Sequence, residues 1–166
     1  MKKLFFLAAA FVIGFTASAQ QKADELVKAD IAKYDFGKIK QGVPVVIYFT
    51  VTNTSDKPVV IENAWAGCGC TTPEYIKTPF APGSTTKIKV GYNAAAMGHF
   101  DKDVSVKLAG VQEPLVIKIT GEVVDQQNYD VYTKSKDFKK SQKAKLAKLE
   151  KDEKEFNAKK QAASSK

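Results

Sequence analysis

At 166 residues the chain has room for one modest domain with appendages, and a net charge of +8 first suggests a nucleic-acid partner. The distribution of that charge argues against one: residues 20–125 hold 12 lysines against 12 acids, residues 126–166 hold 12 against 6, and arginine is absent. Sequence-specific readout of bases or phosphates favours the guanidinium fork, so a lysine-only surplus outside the body of the chain is a poor reader of nucleic acid.

The N-terminal residues, MKKLFFLAAAFVIGFTASAQ, set Lys2 and Lys3 before an apolar run from Leu4 to Phe15, and Ala17-Ser18-Ala19 supplies small residues. That three-part pattern predicts an export leader over residues 1–19, cleaved after Ala19. The apolar run is too short to span a bilayer and no second one follows, so no transmembrane span is expected. Residues 20–30 read as a linker.

From Ile31 to Val124 the pattern is that of strands. IAKYDFG (31–37) starts the sheet. In VPVVIYFTVTN (43–53), Val45, Ile47, Phe49 and Val51 share one face while Tyr48, Thr50 and Thr52 share the other. NTSDKP (53–58) is a turn cluster before VVIENAW, which predicts a hairpin between these two runs. Beyond the break at FAPGST (80–85), alternation resumes through Ile88, Val90 and Tyr92, then Val104, Val106 and Leu108, then Leu115, Ile117 and Ile119. Such alternation suits antiparallel sheets with one wet face. Two of them stacked predict an all-β, immunoglobulin-like β-sandwich of about seven antiparallel strands over residues 31–125.

Residues 126–166 change character. The segment KSKDFKKSQKAKLAKLEKDEKEFNAKKQAASSK lacks Gly and Pro and is rich in helix formers. Leu146, Leu149 and Phe156 keep helical spacing, but Glu153 interrupts the stripe. The expectation is a Lys-rich helical or disordered tail that is solvated, with weak contact to an anionic surface or a partner-binding helix as the alternatives.

The runs YDFGKIKQG, FTVTNTSDKPVVI, AGCGCTTPEY, FAPGSTTKIKVGYN and GHFDKDVSVKLAG, in that order, resemble DUF1573, a family of exported bacterial domains of unknown function. The likeness covers about Ile31 to Val124 and is carried by Cys68, Gly69, Cys70 and Thr71, with Pro82 and Gly83 in the following turn; Gly67 directly precedes the motif. It implies an immunoglobulin-like sandwich similar to interaction modules of cilia and sperm proteins. It implies no reaction.

The catalytic inventory is small. His99 is the only histidine, and no nucleophile elbow or phosphate-cradling glycine loop is present. Asp101 and Asp103 share a strand face and offer too few oxygens for calcium. Trp65 reads as core packing. For Cys68 and Cys70 four readings stand: a disulfide, favoured by export and by their number; a Cu(I) site with Met97 and His99; two reduced buried thiols; and an exchanging dithiol. Gly69, free to take positive φ, would ease closure of so small a ring. The expected protein is not an enzyme and needs no cofactor; it binds another, unidentified envelope protein by a sheet edge or by the cysteine loop. A thiol-redox or Cu(I)-handling protein using Cys68 and Cys70 is the competing class.

Overall fold

The computed structural model describes residues 21–134 and 136–165. The expected leader and its cleavage point after Ala19 lie outside the described residues. In chain order the elements are α1 (Ala23–Leu26), β1 (Val27–Ala29), β2 (Lys33–Lys40), β3 (Val45–Asn53), β4 (Ile61–Ala66), β5 (Thr71–Glu74), β6 (Thr85–Tyr92), β7 (Gly98–Leu108), β8 (Leu115–Val124), α2 (Gln126–Thr133) and α3 (Lys136–Ser164). The eight strands form two four-stranded sheets, ordered β1-β3-β6-β5 and β2-β8-β7-β4.

Period-two alternation makes these sheets stack. Phe49 and Val51 of β3 and Ile88 and Val90 of β6 are fully buried on one side; Val104, Val106, Ile117 and Ile119 answer them from β7 and β8. Burying each such side chain stabilises the fold by roughly 1.5–3 kcal/mol relative to exposure. Near one end of the core Tyr92 stacks on Phe100 with ring centroids 4.0 Å apart. The second ring needs Gly121 opposite it, because a Cβ there would lie 2.7 Å from Phe100 and 2.9 Å from the Gly37 carbonyl.

Several expectations are corrected. The hairpin between residues 43–53 and 59–65 does not form: β3 pairs with β1 and β6, while β4 pairs with β7 in the other sheet. The turn cluster is instead wrapped around the buried Asn53, whose side-chain amide donates to the carbonyls of Lys57 (2.7 Å) and Phe80 (3.0 Å). Its Oδ1 accepts from the Ser55 amide at 2.9 Å, so satisfying one buried polar side chain redirects the chain between sheets. Nor is the sandwich wholly antiparallel, since β2 runs parallel to β8. The chain leaves the first sheet at Asp30, whose Oδ1 accepts from the amides of Ile31 (2.9 Å) and Thr50 (3.0 Å), and β2 then joins the second sheet. The supposed linker, residues 20–30, holds α1 and β1, elements too short for any period to register.

The tail is helical, and α3 is docked across the outer face of the β1-β3-β6-β5 sheet, not solvated all round. Phe156, 1 % exposed, packs on Tyr48 and Ile76, with Leu149 and Ala163 beside it one heptad away on either side. Lys87 on β6 reaches Asp152 at 2.8 Å and Glu155 at 3.4 Å, and Lys160 meets Glu74 at 3.1 Å. Burial works against the Lys87 ammonium, but Asp152 and Glu155 outweigh it and raise its pKa. The helix therefore docks by Phe156 and by ion pairs of both polarities, its acids holding Lys87 and its Lys160 holding Glu74.

Candidate functional site

The cysteines lie where the chain crosses between sheets, β4 ending at Ala66 and β5 starting at Thr71. Cys68 and Cys70 form a disulfide with Cα atoms 5.2 Å apart, and both are half-buried. Three contacts pin the loop to the fold. The Thr71 amide donates to the Cys68 carbonyl at 3.3 Å, and the Asn93 amide donates to the Cys70 carbonyl at 3.0 Å. The Thr71 hydroxyl, on a side chain buried at the start of β5, lies 3.7 Å from the Cys68 sulfur and 3.8 Å from the Cys70 sulfur. Thr71 thus touches both sulfurs from below.

The role expected of Gly69 is not the observed one. Gly69 is not among the positive-φ residues, and a Cβ on Gly69 or Gly67 would meet nothing within 4 Å. The ring closes without a left-handed residue. What the two glycines provide is a bare surface around the sulfurs.

Trp65 is not core: the residue is 41 % exposed. The cause is a register shift between Ile61 and Asn63 against β7. Ile61 faces Leu108 in the core, but one extra residue then flips the parity, so Trp65 pairs with Ser105 on the outer face while Ala64 and Ala66 turn inward. Ser105 pairs in turn with Val116, which is 50 % exposed. Trp65, Ser105 and Val116 therefore make one row across the outer face of the second sheet, beginning two residues before the loop glycine.

The other motif residues are elsewhere. Pro82 and Gly83 (φ +73°) are the central pair of a turn closed by the Ser84 amide donating to the Ala81 carbonyl at 3.0 Å. That turn precedes β6, whereas Thr71 pairs with Tyr92 at the other end of β6, so the two parts of the motif sit at opposite ends of the sheet. Met97 is 61 % exposed ahead of β7, and His99 pairs across the ladder with Glu122. Among the described residues no three His, Cys, Asp or Glu side chains gather as metal ligands, and the disulfide removes the two thiolates that Cu(I) would need. Asp101 and Asp103 both hold Lys118, at 2.8 and 3.1 Å. The hydrogen bond from Lys118 keeps the Asp101 carboxyl below its usual range.

The model of a protein family described as "Protein of unknown function (DUF1573)" matches residues 27–123. The chain belongs to this family. The matched span runs from β1 to β8 and contains the Cys68–Cys70 loop, while α2 and α3 lie beyond it. No curated protein matches. Among solved structures, a protein of unknown function from Porphyromonas gingivalis W83 superposes with a TM-score of 0.51 at 16 % identity, over 66 % of this chain and 51 % of its own. The Vibrio cholerae VesB protease gives 0.51 at 16 % identity, over 61 % of this chain and 33 % of its own. A PapD-like (ASH) domain of human CEP192 gives 0.50 at 9 % identity, over 60 % of this chain and 86 % of its own. This chain thus spans about half of the first of these and a third of the second. At such identities the likeness is one of fold. It assigns a β-sandwich to this DUF1573 member and carries no activity with it. Among the described residues no helix is long and apolar enough to cross a membrane.

Proposed function

We infer that this DUF1573 protein is an exported, non-catalytic interaction module of the cell envelope, which recognises a partner protein through Trp65 and the Cys68–Cys70 loop. The observation that carries this reading is the exposed indole of Trp65, on the outermost strand of its sheet, immediately before a loop held by a disulfide and three backbone and side-chain contacts. A large aromatic presented beside a rigid loop fits the anchor of an interface, because it brings apolar area at little entropic cost. The leader read from residues 1–19 supports the compartment, and the disulfide is in keeping with it.

The test is a photoreactive amino acid at position 65 in the exporting cell, with the exposed Lys57 position as control. One discrete adduct formed at 65 and not at 57, and weakened when Cys68 and Cys70 are both changed to serine, is the expected result. Equal or absent adducts at both positions would refute it. A second reading rests on Thr71, whose hydroxyl sits at both sulfurs. In that reading an external dithiol transfers two electrons and two protons to the Cys68–Cys70 bond, giving two thiols here and a disulfide on the donor. Turnover of a reduced dithiol reagent that disappears in the double-serine variant would favour it over the first.

A further inference from the structure

A cleft of about 550 Å³ opens on the opposite edge of the first sheet from β5, between β2 and β3, with α3 over it. Its origin is the early departure of β1. That strand covers β3 only from Val51 to Asn53, and Asp30 adds one more contact when its amide donates to the Thr50 carbonyl at 2.8 Å. Beyond Thr50 the first sheet has lost its edge strand, while β3 continues back to Val45.

The register shows which backbone groups are exposed by this. The Asn53 amide donates to the Ser84 carbonyl on the β6 side, and Thr50 bonds on the β1 side. By the two-residue period, the odd-numbered residues of β3 bond to β6 and the even-numbered ones point the other way. The amide and carbonyl groups of Val46 and Tyr48 therefore face the cleft, and among the described residues they have no hydrogen-bond partner. Such groups are obligatory hydrogen-bonding groups, and Tyr48 is only 2 % exposed. A buried oxygen joins them: Oδ2 of Asp152, on the cleft wall, also accepts no hydrogen bond.

The walls are apolar, with Tyr34, Phe36 and Ile39 on β2 facing Val45 and Ile47 on β3 and Leu146 on α3. Lysines stand round the rim. Lys38, Lys89 and Lys148 already hold Glu122, Glu74 and Asp30, but Lys40 has no carboxylate among the described residues and Lys145 lies over the Tyr34 ring at 5.5 Å. Against those two, Glu153 is the one rim acid without an ion pair among the described residues.

We propose that the cleft is a strand-addition site: it takes an extended peptide segment of a partner protein that pairs with Val46 and Tyr48, turns alternate apolar side chains into the walls, and sets one acidic residue near Lys40 and another near Lys145, which stand at opposite ends of β2. The site is separate from the Trp65 face and stands or falls independently of it. Two donors and two acceptors spaced two residues apart are the pattern an extended chain satisfies. An anionic amphiphile such as a fatty acid would fill the walls and meet the lysines but would leave the backbone groups unpaired.

The probe is a labelled peptide of alternating valine and threonine with glutamate at both ends, added to the full chain, with fluorescence anisotropy and amide hydrogen exchange as readouts. Its comparison is the same peptide N-methylated at alternate residues, which keeps the side chains and removes the ladder donors. The expected result is saturable binding, weakened about tenfold or more by N-methylation, with the Val46 and Tyr48 amides becoming slow to exchange; each lost factor of ten is about 1.4 kcal/mol. Lys40→Glu with Lys145→Glu should weaken it further and improve binding of a lysine-ended peptide, while exchange at Ile88 reports that the core is intact. Absence of binding, equal binding of the N-methylated peptide, or displacement of the bound peptide by a fatty acid with no change at Val46 and Tyr48 would each overturn the proposal.

Discussion

Lys87 Nζ and Asp152 Oδ1 meet at 2.8 Å across the junction of β6 and α3, with side chains 6 % and 8 % exposed and 65 residues apart in sequence. Removing one member of so buried a pair leaves the other charge unpaired, at a cost of about 3–5 kcal/mol, whereas replacing both by apolar groups of similar volume is often neutral. Lys87→Met should therefore destabilise the protein strongly in chemical denaturation. Adding Asp152→Leu should restore most of the loss. Simple additivity of the two changes would show that the pair is not coupled.

Phe156 is the apolar half of the same junction, 1 % exposed with its ring centroid 5.6 Å from that of Tyr48. Phe156→Ala should cost about 3–5 kcal/mol, the range for a fully buried phenylalanine. Hydrogen exchange should localise the damage to α3 and the outer face of β3 and β6, leaving Ile117 and Ile119 protected. A loss below about 1 kcal/mol, within the range of ordinary surface substitutions, would mean that the helix is not docked in solution.

The junction also predicts a pH profile. The hydrogen bond from Lys89, joined by Lys160, holds the Glu74 carboxyl below its ordinary 4.5 against the effect of burial. For Glu155, burial pushes upward but Lys159 and Lys87 outweigh it, so its pKa is also lowered. Carboxyls lowered in the fold contribute stability that is present above 4.5 and lost as pH falls through the depressed values. Lys87 and Lys89 are raised above 10.5, so their contribution is complete below 10.5 and is lost as pH rises beyond it. The thermal midpoint should be flat between these limits and fall at both ends, and Glu74→Gln with Glu155→Gln should flatten the acid limb. An acid limb unchanged in that variant would place the titrating groups elsewhere.

Gly121 is required by space, not by backbone conformation. A Cβ at this position would stand 2.7 Å from the Phe100 ring and 2.9 Å from the Gly37 carbonyl. Gly121→Ala should cost about 1–3 kcal/mol through overpacking. Pairing it with Phe100→Leu should recover part of that loss, measured by the same denaturation midpoint. No loss on Gly121→Ala would show that β8 can move away from β2.

The Pro82-Gly83 turn and the faces of β3, β6, β7 and β8 were legible because each is decided within a few residues. Alternation needs only local pleating, and a glycine at φ +73° after proline is a local steric solution. Membership of DUF1573 was legible for the same reason, since the motifs are short and contiguous. The helicity of the tail was legible in its helix formers, but its docking was not, because the docked apolar stripe is one residue per heptad, with Asp152 and Glu155 between; those acids read as solvent-facing until β6 supplies Lys87.

What the sequence by itself determined is which residues can lie on one face of a strand, where turns fall, and that two cysteines one glycine apart are the chain's only thiols. Tertiary structure alone decided which face meets which. The register shift after Ile61 put Trp65 outside, Asp30 and Asn53 moved strands between sheets, and Phe156 found Tyr48 across more than half the chain. The physical reason is range. Pleating and turns are set by steric contacts between neighbours, while a bulge, a buried ion pair or an open sheet edge exists only once distant segments compete for the same hydrogen bonds and the same core.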